Sequence, residues 1–234
     1  MPPPSITTFG TTSPRKENEV RLYLLPNSSA TFPHVLLRYA KLPFTAIVVK
    51  LDQLDSQEFR EQVNDKAQIP VLQIGPNRTV TENVAIAYTI AHELAPEAKL
   101  FGSTPEQQSL VMEWLSWIAG PIHAQTWSPF MRPFRFTSET AAEAAIKETS
   151  KQKVLKLFAT LDGKLSESGP FALGEKFTAV DAYILAWYRV ANRLLVGVDL
   201  VTMFPRWTKV VEHLKTVDSV REGLEFEAEA SKST

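Results

Sequence analysis

Residues 68–91 read "QIPVLQIGPNRTVTENVAIAYTIA". "IPVLQI" is a short apolar run that predicts a strand, and "GPN" predicts a tight turn. "RTVT" predicts the return strand of a hairpin. From Glu82 the spacing of Ile86, Ile90, Ala91 and Leu94 predicts a helix that ends before Pro96. Proline lacks an N–H, so Pro70 at the head of this strand has two readings. It opens an edge strand, or it follows a cis Ile69–Pro70 bond that turns the Ile69 backbone toward a ligand.

Working outward, "VRLYLL" (residues 20–25) predicts a strand closed by Pro26 and Asn27. Phe32, Val35, Leu36 and Tyr39 then recur at helical spacing, with Pro33 in the first turn where it is tolerated. "FTAIVV" (44–49) predicts a second strand, and residues 56–64 a short polar helix. Residues 20–95 therefore run β-α-β-α-β-β-α. Beyond a linker at 96–107 the pattern is helical throughout 108–227. Leu110, Trp114 and Trp117 form one stripe up to Gly120-Pro121, and a long helix is predicted over about 138–168. Thr178 and Asp181 stand at capping-box spacing ahead of Tyr183, Ile184, Trp187 and Tyr188, which read as a buried face. Two last helices cover about 205–227. Residues 1–19 and 228–234 read as tails, the first rich in Pro, Ser and Thr.

Composition narrows the functional classes. The 234 residues are 44% hydrophobic, enough for a substantial core, and the formal net charge of −1 gives no electrostatic pull toward nucleic acid or an anionic membrane. No stretch has the length of a membrane span or the layout of a secretory signal. The absence of cysteine excludes disulfides, thiolate metal sites and a protein thiol nucleophile, and fits a reducing compartment. His34, His92, His123 and His213 show no ligand spacing, so no metal site is expected, and no phosphate loop or dinucleotide fingerprint appears.

The junction "LPNSSATFPHVLLRYA" (25–40) places Ser28, Ser29 and Thr31 between a strand and a helix. Hydroxyls there either cap the helix or donate to a ligand at its N-terminus.

Several of these segments together resemble the cytosolic glutathione transferases, a family with a thioredoxin-like first domain and an all-helical second one. "QIPVLQI" with "VTENVAIAYTIA" is similar to that family's K/Q-V-P-V-L strand and L-T-E-S-x-A-I segment, and "FALGEKFTAVDAYI" (171–184) to its helical-domain capping block. The bacterial-type beta class is the nearest in pattern. "PNSSATFPH" aligns without gaps on its P-G-A-C-S-x-x-x-H junction, and "EWLSWIAGPIHAQTWSPFMRP" (113–133) resembles its W-L-x-Y-I-A-x-x-x-H-x-x-x-x-P-L-F-R-P stretch. Two departures matter: Ser29 stands for the class's cysteine, and Asn83 for the serine after its acidic residue.

The resemblance implies a cytoplasmic homodimeric enzyme with glutathione as co-substrate, whose thiol is ionised for attack on a hydrophobic electrophile. It assigns thiol activation to Ser29 first, with Ser28 and Thr31 as alternatives. It places Ile69, Pro70 and Gln68 at the cysteinyl unit, Glu82 and Asn83 at the γ-glutamyl end, and Lys50 at the glycine carboxylate. His123 would reach the site from the second domain, while Trp114, Trp117 and Trp127 line an apolar cleft or fill the core. Asp181 is expected to serve folding alone. Alternatives are a non-catalytic binding or regulatory module of the same fold, and glutathione-dependent peroxidase, isomerase or dehalogenase chemistry.

Overall fold

The structure, a computed structural model, describes residues 5–10 and 16–232. The first domain holds β1 (Ser5–Thr8), β2 (Val20–Leu24), α1 (Thr31–Tyr39), β3 (Thr45–Val48), α2 (Gln57–Gln62), β4 (Val71–Ile74), β5 (Arg78–Thr81) and α3 (Asn83–Thr89). Their sheet order is β1-β3-β2-β4-β5. β3 is parallel to both β1 and β2, while β4 is antiparallel to β2 and β5. From β2 onward this is the β-α-β-α-β-β-α thioredoxin-like order that the pattern predicts.

Alternation along β2 builds two cores, because successive side chains leave a strand on opposite faces. Leu22 and Leu24 face the large core with Phe32, Leu36, Ile86 and the helical domain. Tyr23 faces a smaller core with Ile47, Phe59 and Val71 under α2.

The tail reading of residues 1–19 does not hold for 5–10. β1 extends the sheet edge, and Phe9 is buried in edge contact with Phe59 at 5.5 Å between ring centroids. The Phe9 amide donates to the Val48 carbonyl at 3.0 Å. A segment rich in Ser and Thr has no alternating apolar pattern, but β3 offers it an unpaired edge, and main-chain hydrogen bonds are indifferent to side-chain polarity. Residues 1–4, 11–15 and 233–234, also within the expected tails, lie outside the described residues.

The second domain comprises α4 (Pro105–Trp117), α5 (Ser128–Met131), α6 (Glu143–Lys164), α7 (Ala179–Leu194), α8 (Leu200–Met203), α9 (Pro205–Thr216) and α10 (Asp218–Ala230). α7 and α10 both pack on α1, so the large core runs across the domain boundary. α10 runs past the expected tail boundary at 228, and Ser231 accepts from Asn27 Nδ2 at 2.6 Å. Among the described residues, no helix is long and apolar enough to cross a membrane.

Gly120-Pro121 does not end the helix begun by α4, as the stripe suggests. The chain continues in π-helical turns over Ile118–Trp127. Pro121 has no N–H for the ordinary ladder, and the wider turn accommodates this, with Thr126 Oγ1 donating back to the Ile122 carbonyl at 2.7 Å. That continuation carries His123 and Trp127 to the domain boundary.

Candidate functional site

The boundary between the domains opens into a cleft of about 480 Å³, within the roughly 300–1,000 Å³ range of small-molecule sites. Ser28, Ser29, Gln68, Ile69, Pro70, Glu82 and Asn83 line its first-domain side, and His123, Trp127 and Arg132 are on the opposite wall.

The turn entering α1 separates the two serines. Ser28 Oγ donates to the Leu25 carbonyl at 2.7 Å and accepts from the Ala30 amide at 3.1 Å. It therefore shapes the turn. Ser29 gives its carbonyl to the Phe32 amide at 3.2 Å, while its hydroxyl bonds no group among the described residues and borders the cleft. Thr31 is removed from the site: it is buried, and its hydroxyl donates to Glu227 Oε2 at 2.7 Å. Residue 31 lies on the side of α1 that faces α10, away from the cleft.

That contact belongs to a buried hub behind the turn. Glu227, fully buried on α10, accepts from the Asn27 amide at 3.0 Å and pairs with Arg189 at 3.0 Å and with His34 Nδ1 at 2.9 Å. Arg38 Nε donates to His34 Nε2 at 2.8 Å, so Nδ1 carries the imidazole proton and donates it to Glu227. Burial holds His34 below its usual pKa, and Arg38 and Arg189 add to this against the pull of Glu227. For Glu227 burial acts upward, but His34, Arg189 and the Asn27 amide outweigh it and hold the carboxyl low. A neutral histidine and an anionic glutamate satisfy both trends. Asn27, in the left-handed region at φ 58°, is also held by Arg189 and by Arg193 Nη2 at 3.0 Å.

Ile69–Pro70 is cis, and Ile69 lines the cleft. Gln68 lines it too, with its carbonyl accepting from Asn64 Nδ2 at 2.8 Å. Glu82 has φ 72° and pairs with Lys66 at 2.6 Å. A positive φ at a residue with a Cβ is costly and marks sites where geometry is imposed by function. Lys50 is not at the cleft. It is exposed, and its backbone amide donates to Gln53 Oε1 at 2.9 Å in the loop after β3.

On the second-domain wall, His123 sits edge-on to Trp187 at 4.8 Å. Burial lowers its pKa, opposed by Glu82 and reinforced by Arg132, so it is neutral at pH 7. Of the three tryptophans proposed for the cleft, Trp127 lines it. Trp114 packs against Trp117, and neither borders the cleft. Asp181 is a cap, as expected: its carboxylate accepts from the Ala172 and Thr178 amides at 2.7 Å each and from the Thr178 hydroxyl at 3.0 Å.

Two residues read as plain core border the cleft instead. Tyr183 and Trp187 are buried, and Tyr183 Oη, Trp187 Nε1 and the neighbouring Asn83 Oδ1 lack a hydrogen-bond partner. Burial pushes the Tyr183 phenol up, with Trp187 and Asn83 acting the other way. Three orphaned polar atoms on one cleft floor are uncommon, since nearly all buried polar groups are bonded. The signal was present in sequence. Tyr and Trp four residues apart on an apolar stripe carry polar tips that must be satisfied somewhere. Arg132 and Arg135, also on this wall, lay at the edge of a quoted motif and drew no reading.

Comparison with known proteins agrees with this geometry. Residues 118–217 match the family described as "Glutathione S-transferase, C-terminal domain". The chain has the glutathione transferase fold. It is 27% identical over 182 residues to glutathione S-transferase GST-4.5 of Xanthomonas campestris pv. campestris, covering 77% of this chain and 86% of that protein. It is 26% identical over 190 residues to glutathione S-transferase GstA of Escherichia coli O157:H7, covering 79% and 90%. Among solved structures, a glutathione transferase homologue from Sulfitobacter with bound glutathione superposes with a TM-score of 0.79 at 21% identity, over 92% of this chain and 98% of that one.

Proposed function

We propose that this protein is a cytoplasmic, homodimeric glutathione transferase that ionises the glutathione thiol through Ser29 for attack on a hydrophobic electrophile. The observation that carries the reading is the Ser29 hydroxyl, free of protein partners and bordering the same cleft as Ile69, Glu82, Asn83 and His123. The names of the curated relatives, and the glutathione bound in the Sulfitobacter homologue, support the same reading.

The residues present suit such a ligand. Asn83 Oδ1 is an orphaned acceptor for a donor of the γ-glutamyl end, and Glu82 offers a carboxylate to an ammonium in exchange for Lys66. Glutathione supplies the thiol that the cysteine-free chain lacks. A free thiol near pKa ~8.5 is only a few per cent ionised at neutral pH. Lowering that value by about two takes roughly 2.7 kcal/mol. A hydroxyl donating to a charged sulfur contributes about 1.5–3 kcal/mol, and the N-terminal end of α1 about 0.3–1 kcal/mol more. The serine therefore acts as a donor and forms no bond to carbon. In the transfer, sulfur bonds the electrophilic carbon while the leaving group departs with its electron pair. Trp127 and Met131 offer apolar surface for the electrophile, and neutral His123 is placed to exchange a hydrogen bond with it. Exposed Tyr88 on α3 and Leu110 on α4 are apolar surface suited to a second copy of the chain.

The test is the ultraviolet absorbance of bound glutathione thiolate against pH. Ser29→Ala is expected to move its midpoint up by one to two pH units, about 1.5–3 kcal/mol, and to cut kcat/KM for an aryl halide ten- to hundredfold. An unchanged midpoint would remove Ser29 from the mechanism. Asn83, where the beta class has serine, favours a second reading as a binding module, which predicts retention of glutathione without turnover. Product analysis separates conjugation from peroxide reduction or isomerisation.

A further inference from the structure

The cleft is charged on one side only. No Lys or Arg from residues 20–95 lines it, and the one acidic residue that does, Glu82, is already paired with Lys66. Its lining cations, Arg132, Arg135 and Arg193, all come from the helical domain. Arg193 is engaged with the Asn27 carbonyl. Arg132 and Arg135 form no ion pair among the described residues.

Arg132 is also fixed in place. It leaves α5 with its amide donating to the Ser128 carbonyl at 2.9 Å and its carbonyl accepting from the Arg135 amide at 3.0 Å. Its neighbours on either side are anchored, since Phe130 and Pro133 are buried. The guanidinium is partly buried beside a second cation, and both circumstances work against its charge, with only the charge of Asp55 favouring it. Asp55 is itself paired with Arg60 at 2.8 Å. Two adjacent, unpaired arginines bordering a cleft present the planar donor geometry that binds a carboxylate in bidentate fashion. Met131 continues the wall beside them, so the anion they take is one attached to apolar atoms.

We propose that Arg132, seconded by Arg135, forms a carboxylate subsite on the helical wall of the cleft. This rests on the cleft being the glutathione and electrophile site. Two carboxylates can reach it: the glycyl carboxylate of glutathione, which Lys50 is not placed to meet, or an acidic group on the electrophile.

Calorimetry and steady-state kinetics on the full chain distinguish the two. The probes are glutathione against its glycyl monoethyl ester, and 4-chloro-3,5-dinitrobenzoate against the corresponding benzamide. Each pair differs by one carboxylate. Arg132→Gln is expected to reduce the preference for acid over neutral probe about tenfold or more in one pair, and Arg132→Lys to restore part of it. Loss in the glutathione pair identifies the glycyl carboxylate as occupant, and loss in the benzoate pair an acidic acceptor substrate. Acid-to-neutral ratios unchanged in both pairs, in a variant with wild-type circular dichroism, overturn the subsite. Failure of the wild-type chain to bind glutathione at all overturns the proposed function instead. The benzoate pair, titrated alone, then still reads the arginines.

Discussion

Ser28 and Ser29 are chemically identical neighbours, and the backbone alone gives them different tasks. Ser28 turns its oxygen inward to the Leu25 carbonyl and the Ala30 amide, while Ser29 keeps its oxygen at the cleft. Ser28→Ala should therefore cost about 1 kcal/mol of stability, as loss of a capping hydroxyl does, and leave the pH midpoint of bound thiolate close to wild type. Chemical denaturation and the thiolate titration measure the two effects separately. A midpoint shifted as far as in Ser29→Ala would mean that the division of labour is wrong. The sequence brought this pair to attention but held both options open for each member. Which hydroxyl faces inward depends on the φ and ψ of a four-residue turn, and no residue type in "NSSA" specifies them.

The entry to α7 shows an element whose start was legible. Thr178 and Asp181 at capping spacing predict an N-terminus there, and the structure adds that Asp181 also reaches the Ala172 amide in the preceding loop. Burial raises the Asp181 pKa to about 6 from 3.8, against the pull of its three donors. The folded chain thus holds this proton more tightly than the unfolded one. Its contribution to stability is fullest below pH 3.8 and declines as the pH rises to about 6. Asp181→Asn, which does not titrate, should cost about 1–3 kcal/mol at pH 7 through lost acceptance from buried donors. Its stability should also vary less than wild type between pH 4 and 6, and parallel urea-melt curves across that window would refute the assignment. α4 is the opposite case. Gly120-Pro121 reads as a stop because each residue disfavours a helix interior. The continuation in wider turns is held by Ile118, Ile122 and Trp127 buried against the rest of the domain.

Across the molecule, the two domains are joined behind the site by a polar hub rather than by apolar contact alone. Glu227 on α10 is about 200 residues from the Asn27 turn it holds. Removing one partner of a buried ion pair leaves an uncompensated charge, so Glu227→Gln should lower stability by about 3 kcal/mol and loosen the Ser28–Ser29 turn. The hub also sets an acid response. His34 has a folded pKa below 6.5, so the stability it provides is complete above pH 6.5 and is lost as the pH falls. Glu227, held below 4.5, adds a second loss at lower pH. Thermal melts from pH 7.5 to 4 should show the upper arm of this decline in wild type and its loss in His34→Gln. An identical decline in that variant would show that other groups carry it.

The sequence by itself determined the order of elements, the place of the domain boundary, the cap at Asp181 and the residues Ser29, Ile69, Glu82, Asn83 and His123 of the cleft. These rest on local periodicity, on turn residues and on motifs of a few residues, all of which are written in consecutive positions. Only the tertiary structure decided that residues 5–10 join the sheet, that Thr31 and Lys50 stay out of the site, and that Tyr183, Trp187, Arg132 and Arg135 enter it. Each of those outcomes depends on a contact partner far away in the chain, such as the open edge of β3 or Glu227 on α10. Side chains of the same type are assigned to core or cleft by what packs on the opposite side, and that is settled only when the two domains meet.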